Sequence, residues 1–97
     1  MIASAWIVYI VRCADGTLYT GIAKDAGRRV EEHNSSNVLA ARYTRARRPV
    51  VLVYHEMTPT RSTASKREYE IKQMSRLQKE ALLPVSARRG NGRRVRR

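Results

Sequence analysis

A chain of 97 residues with 42% hydrophobic side chains has room for one domain built around a single modest core. Twenty Lys and Arg against eight Asp and Glu leave a net charge of +12, and arginine supplies 16 of the 20 cations. Guanidinium forks match phosphate oxygens, so the balance points to a polyanion, nucleic acid first, with an anionic membrane surface as the competing reading.

The first ten residues, MIASAWIVYI, lack the basic start of a signal peptide, and no apolar stretch reaches the ~20 residues that span a bilayer. Residues 6–13, WIVYIVRC, are β-branched and aromatic and read as a strand. Cys13 is the only cysteine, which rules out an internal disulfide and suits a reducing cytoplasm. With only His33 and His55 to join it, a structural zinc site is excluded as well. Ala14-Asp15-Gly16 reads as a turn, and Leu18 to Ile22 as the returning strand. A two-residue loop at Asp15-Gly16 would pair Cys13 with Leu18 and put Tyr9 and Tyr19 on opposite faces. A three-residue loop, with Gly16 in the left-handed position, pairs Val11 with Tyr19 and sets Tyr9 opposite Gly21. The second is favoured. It gathers Val8, Ile10, Leu18 and Ile22 on one apolar face and both tyrosines on the other.

Asp25 is expected to cap a helix over 26–34, on which Arg29 and His33 are four apart and share a face. Residues 35–48, SSNVLAARYTRARR, read as a loop with arginines at 42, 45, 47 and 48. Pro49 opens a strand, VVLVYHE, whose unbroken apolar run suggests burial on both faces. A turn from Thr58 leads into a helix from about Thr63 to Met74. Ser75 with Gln78 matches the capping box of a second short helix, which Pro84 ends. The order is ββαβαα, an α+β fold with a small three-stranded antiparallel sheet flanked by helices. Residues 1–83 are read as the domain, and 84–97 as a disordered Arg-rich tail. Without residues 85–97 the chain still carries +6, so its basic character is not a tail effect.

Three groups of residues could carry chemistry. On the second long helix Ala64, Glu68, Ile71 and Ser75 share one face, so Glu68 borders apolar surface and needs an arginine such as Arg29, hydrogen bonds or a metal ion. Glu70 lies on the far side and should be solvated. Arg29 and His33 read either as a solvated helix face or as a phosphate clamp beside a proton relay. Tyr9 and Tyr19 read either as core or as phenols activated by nearby cations. Taken together they suit phosphodiester cleavage, which needs a water activator, a positive clamp and a Lewis acid. Eight acids, two already used in a turn and a cap, favour one metal over two.

The ordered set WIVYI, LYTGI, KDAGRRVEEH, YTRARRPVVLVY and KREYEIKQMSRLQK, spanning about residues 5–83, resembles the GIY-YIG nuclease superfamily, specifically its small stand-alone bacterial proteins. The resemblance implies Tyr9, Tyr19, Arg29 and His33 as catalytic residues, Glu68 as the ligand of one Mg²⁺ or Mn²⁺ ion, and Gly21 as the motif glycine that admits close approach. It implies a metal-dependent DNA endonuclease of the bacterial cytoplasm, acting on DNA that includes branched or damaged forms, with RNA the weaker substrate. Tyr19 is expected to activate water, with Tyr9 and His33 assisting. Lys24, Arg28, Arg42, Arg45, Arg47 and Arg48 are the expected nucleic-acid contacts. Two departures stand out: Ile7 replaces the first motif's glycine, and no asparagine follows Glu68 before Asn91. The Ile7 change, in a strand, is expected to leave the site intact; the missing asparagine, with the lack of a separate targeting domain, supports the alternative of a non-catalytic nucleic-acid-binding protein on the same fold.

Overall fold

The computed structural model describes residues 5–88. The elements run β1 (Trp6–Arg12), β2 (Leu18–Ala23), α1 (Ala26–Ser35), α2 (Arg42–Arg45), β3 (Val51–Thr58), α3 (Arg61–Lys72) and α4 (Arg76–Leu82), followed by a single 3-10 turn at Val85–Ala87. This is the expected α+β fold: a three-stranded antiparallel sheet in the order β2-β1-β3, with helices packed on it. The addition is α2, one helical turn inside the stretch read as a loop. No helix among the described residues is long and apolar enough to cross a membrane.

Turn chemistry sets the sheet register. Gly16 adopts φ 86°, its amide donates to the Cys13 carbonyl at 2.9 Å, and the Cys13 amide donates to the Thr17 carbonyl at 2.8 Å. Asp15 Oδ1 accepts from the Thr17 amide and hydroxyl and so steadies the loop. Val11 therefore pairs with Tyr19, and Tyr9 with Gly21, as the three-residue loop requires. The central strand then splits its side chains between two cores. Val8 and Ile10 pack with Ala64, Ile71 and Leu83 from the α3–α4 side. Tyr9 and Val11 pack with Cys13, Ala26 and Val50 on the α1 side.

The apolar run of β3 does not mark a strand buried on both faces. β1 takes the central place, and β3 lies at the sheet edge with Val51 and Met57 59% and 69% exposed. Side chains reinforce its start: Asn34 donates to the Val50 carbonyl at 2.9 Å and accepts from the Val50 amide at 2.7 Å, as a neighbouring strand would. The helix caps follow from sequence. Asp25 accepts from the Arg28 amide, and Ser75 and Gln78 form the reciprocal box that starts α4. Thr60 and Thr63 form a second box, so α3 begins at Arg61 rather than at Thr63.

Beyond α4, residues 84–88, read as the start of the tail, are held to the domain, whereas 89–97 lie outside the described residues. Arg12, at the end of β1, makes two hydrogen bonds to Glu80 of α4, at 3.0 and 3.1 Å, and donates to the Ala87 carbonyl at 2.8 Å. Arg76 also reaches Glu80, at 3.2 Å, and the Gly16 carbonyl, at 3.0 Å. The Arg12 and Glu80 side chains are only 11% and 9% exposed, so each charge depends on the other. Removing one partner of a buried pair strands the other. Glu80→Ala is therefore expected to lower the unfolding free energy by about 3–5 kcal/mol in urea titrations. Glu70→Ala, in a pair whose carboxylate is 61% exposed, should cost under about 1 kcal/mol.

Candidate active site

The site is organised by a buried hydrogen-bond chain that begins on β1. Tyr9, 1% exposed, directs its hydroxyl to His33 Nε2 of α1 at 2.8 Å. His33 is fully buried, and its Nδ1 lies 2.7 Å from the Thr44 hydroxyl of α2. Thr44 donates onward to the Ala41 carbonyl at 3.0 Å. Its single proton being used there, Thr44 accepts from His33 Nδ1–H, and Nε2 accepts from the Tyr9 phenol. The Ala41 amide, 3.5 Å from Nδ1, makes the weaker competing contact. The imidazole is thus neutral. Burial, and then the Arg29 charge, push its pKa down to about 4. Burial, and then the nearby Tyr19, push the Tyr9 pKa up to about 12. Sequence spacing singled out Tyr9 and His33 but not Thr44, which lies in a stretch without periodicity.

Gly21 is required by proximity rather than by backbone conformation. A Cβ there would meet the Tyr9 hydroxyl at 2.5 Å and its ring carbon Cζ at 2.7 Å. The glycine of LYTGI thus leaves room for the phenol that the facing strand delivers.

Around this chain the structure gathers the other expected groups. Arg29 is near enough to Tyr9 to favour its ionised form. It is held by Glu32 and the Leu39 carbonyl, each at 2.8 Å. Burial works against its charge, but Glu32 and Tyr9 outweigh that and keep its pKa above the ordinary value. The Tyr19 ring meets the His33 ring edge-on at 5.5 Å and stacks on Tyr43 at 5.8 Å. Arg47 caps that stack, 3.8 Å from the Tyr43 centroid. The Tyr19 hydroxyl makes no hydrogen bond to the described residues. Glu68 of α3, its side chain 23% exposed, pairs with Lys72 at 3.2 Å rather than with Arg29, and its charge is felt by the Tyr9 phenol.

The expected nucleic-acid contacts divide in two. Arg48 bonds the His33 and Ser36 carbonyls at 2.6 and 2.7 Å and closes the end of α1. Arg47 pairs with Asp15 at 3.0 Å, and Arg45 bonds the Asn37 carbonyl. These three make contacts within the fold, Arg45 while remaining exposed. Lys24, Arg28 and Arg42 are exposed, and Lys24, Arg28 and Arg29 line a cavity of about 190 Å³ at the start of α1. No cluster of three His, Cys, Asp or Glu that could hold a metal occurs among the described residues, and Glu68 is the carboxylate whose charge bears on Tyr9. A hard cation that keeps most of its waters can be held by a single carboxylate together with substrate phosphate, and the site fits that demand.

Two measurements check this geometry. His33 is neutral when folded and titrates near 6.5 when unfolded, so its contribution is complete above pH 6.5 and is lost as the pH falls towards about 4. The unfolding free energy should drop on the order of 3 kcal/mol more over that window than in His33→Gln, whose pH slope there should be flatter. Gly21→Ala should cost about 1–3 kcal/mol by crowding the phenol, read from the urea midpoint.

Comparison with known proteins gives the family and the fold. The family model of the GIY-YIG catalytic domain matches residues 5–81. The chain is 62% identical over 82 residues to a UPF0213 protein of Desulfotalea psychrophila, covering 84% of this chain and 74% of that one. It is 58% identical over 76 residues to a UPF0213 protein of Staphylococcus aureus, covering 78% and 90%. The solution structure of a UPF0213 protein from Bacillus halodurans aligns with TM-score 0.52 at 40% identity, over 90% of this chain and 88% of that one. A solution structure of a protein from E. faecalis aligns with TM-score 0.55 at 32% identity, over 82% and 84%. The chain belongs to the GIY-YIG catalytic domain family, a family of nucleases acting on nucleic acid, alongside the small bacterial UPF0213 proteins.

Proposed function

We propose that the protein is a divalent-metal-dependent endonuclease that hydrolyses phosphodiester bonds in DNA. The observation that carries this reading is the convergence of His33, Arg29, Tyr19 and Glu68 on Tyr9, from four separate elements. A catalyst of this kind has little covalent work to do. It must place a water in line with the leaving oxygen and stabilise charge on the phosphate.

Glu68 would hold one Mg²⁺ or Mn²⁺, which supplies the Lewis acidity that the protein side chains lack. Arg29, fixed by Glu32 and Leu39, sets a permanent positive charge against the non-bridging oxygens. Tyr19 is assigned to the water, because its hydroxyl has no other partner among the described residues while the Tyr9 hydroxyl is committed to His33. Tyr9 and His33 stay neutral and form a fixed polar wall beside it. They orient the Tyr19 ring through its edge contact with the imidazole. As water adds to phosphorus, its proton passes to the Tyr19 oxygen while the phenol hands its own proton on to solvent, and the bond to the leaving oxygen breaks with that oxygen taking up a proton from solvent.

Glu68→Ala and Arg29→Ala are each expected to lower metal-dependent cleavage by at least about 10²-fold, with urea midpoints near that of the native protein. Tyr19→Phe keeps the stack on Tyr43 and should lose about 10²–10⁴-fold. Cleavage of duplex, branched and single-stranded DNA, with Mg²⁺ or Mn²⁺ and with EDTA, is the readout. Binding without cleavage on every substrate would reduce the chain to a nucleic-acid-binding protein.

A further inference from the structure

Outside the catalytic group, two cations converge on one indole. Lys24 Nζ and the Arg61 guanidinium carbon each lie 5.5 Å from the Trp6 ring centroid. Lys24 stands just before the cap of α1, and Arg61 is the first residue of α3. The starts of the two longest helices therefore meet at Trp6.

This corner is charged against local preference. A helix start favours carboxylates; the first turns of α1 and α3 contain none, and the Asp25 carboxylate that caps α1 is turned onto the Arg28 amide. Elsewhere the acids are used to neutralise cations: Glu80 serves Arg12 and Arg76, Glu32 serves Arg28 and Arg29, Glu56 and Glu70 serve Arg67, Asp15 serves Arg47, and Glu68 serves Lys72. Lys24 and Arg61 have no carboxylate partner among the described residues. Two exposed cations gathered on one indole, with no ion pair among the described residues to consume them, leave positive charge that an anionic ligand can meet.

The corner also adjoins the catalytic group on both sides. Arg61 precedes Glu68 by two helical turns on the same face, about 10 Å along the axis. Lys24 lines the same cavity as Arg29. An indole holding two long side chains by cation–π contact reduces the ordering cost of using them on a ligand.

We propose that Trp6, Lys24 and Arg61 form the surface that grips the DNA phosphodiester backbone next to the scissile phosphate. This rests on the nuclease reading above, and it adds Trp6 and Arg61 to the contacts that the sequence suggested. The grip is electrostatic and independent of base identity.

The test is equilibrium binding of a labelled DNA oligonucleotide to Glu68→Gln protein in EDTA, between about 50 and 200 mM salt. The added double substitution Lys24→Ala/Arg61→Ala should weaken binding at least tenfold at the low-salt end. It should also make the slope of log affinity against log salt shallower by about 1.4–1.8, as loss of two phosphate contacts requires. Both side chains are exposed, so the far-UV circular dichroism should stay unchanged. Lys66→Ala, an exposed cation elsewhere on α3, should leave the slope as it was. A double variant with the slope and affinity of its parent overturns the surface and leaves the catalytic site standing. A parent that binds anionic vesicles but no DNA overturns both.

Discussion

The bond between the Tyr9 hydroxyl and His33 Nε2 is the constraint on which the rest of the site depends. It crosses from the central strand to α1 in a place closed to water, so neither partner can be lost without leaving the other unsatisfied. Its geometry demands Gly21 on the facing strand, because any side chain there would occupy the space of the phenol. It also demands a partner behind the imidazole, and Thr44 supplies that by folding the 35–48 stretch into a helical turn over α1. The Tyr19 ring is then fixed between the imidazole edge and Tyr43, with Arg47 and Asp15 closing the row.

Electrostatics divides the molecule in the same economical way. With eight acids for twenty cations, most carboxylates are consumed in structural pairs, of which the buried Arg12–Glu80 contact is the most demanding. Arg48 is satisfied without any acid, by carbonyls at the end of α1. Among the described cations left without a carboxylate partner, Lys24 and Arg61 stand at the starts of α1 and α3, where an anionic substrate at Arg29 and Glu68 would benefit. A positively charged rim beside a site also raises the local substrate concentration.

Much of this was legible in the sequence where the determinant is local. Ala14-Asp15-Gly16 specified the loop, and the loop set Tyr9 opposite Gly21. Asp25, Ser75 and Gln78 announced their caps, and the four-residue spacing put Arg29 and His33 on one face. What could not be read depends on which elements become neighbours. The run VVLVYHE has the composition of a central strand but pairs on one side only, because β1 lies between it and β2. Thr44 and Glu80 have no periodic or motif signal, and their partners are 11 and 68 residues away. The arginines at 45, 47 and 48 looked alike as a charge run, yet carbonyls and Asp15 engage them within the fold.

The most direct measurement is the protonation state of His33 by long-range ¹H–¹⁵N correlation NMR on the folded protein. The expected spectrum shows a proton on Nδ1, an unprotonated Nε2 shifted by an accepted hydrogen bond, and no titration from neutral pH down to about 5. In Tyr9→Phe the Nε2 shift should move to that of a free imidazole nitrogen. A proton on Nε2, or a midpoint near the ordinary 6.5 in the folded state, would contradict the buried Tyr9–His33–Thr44 chain and the site built on it.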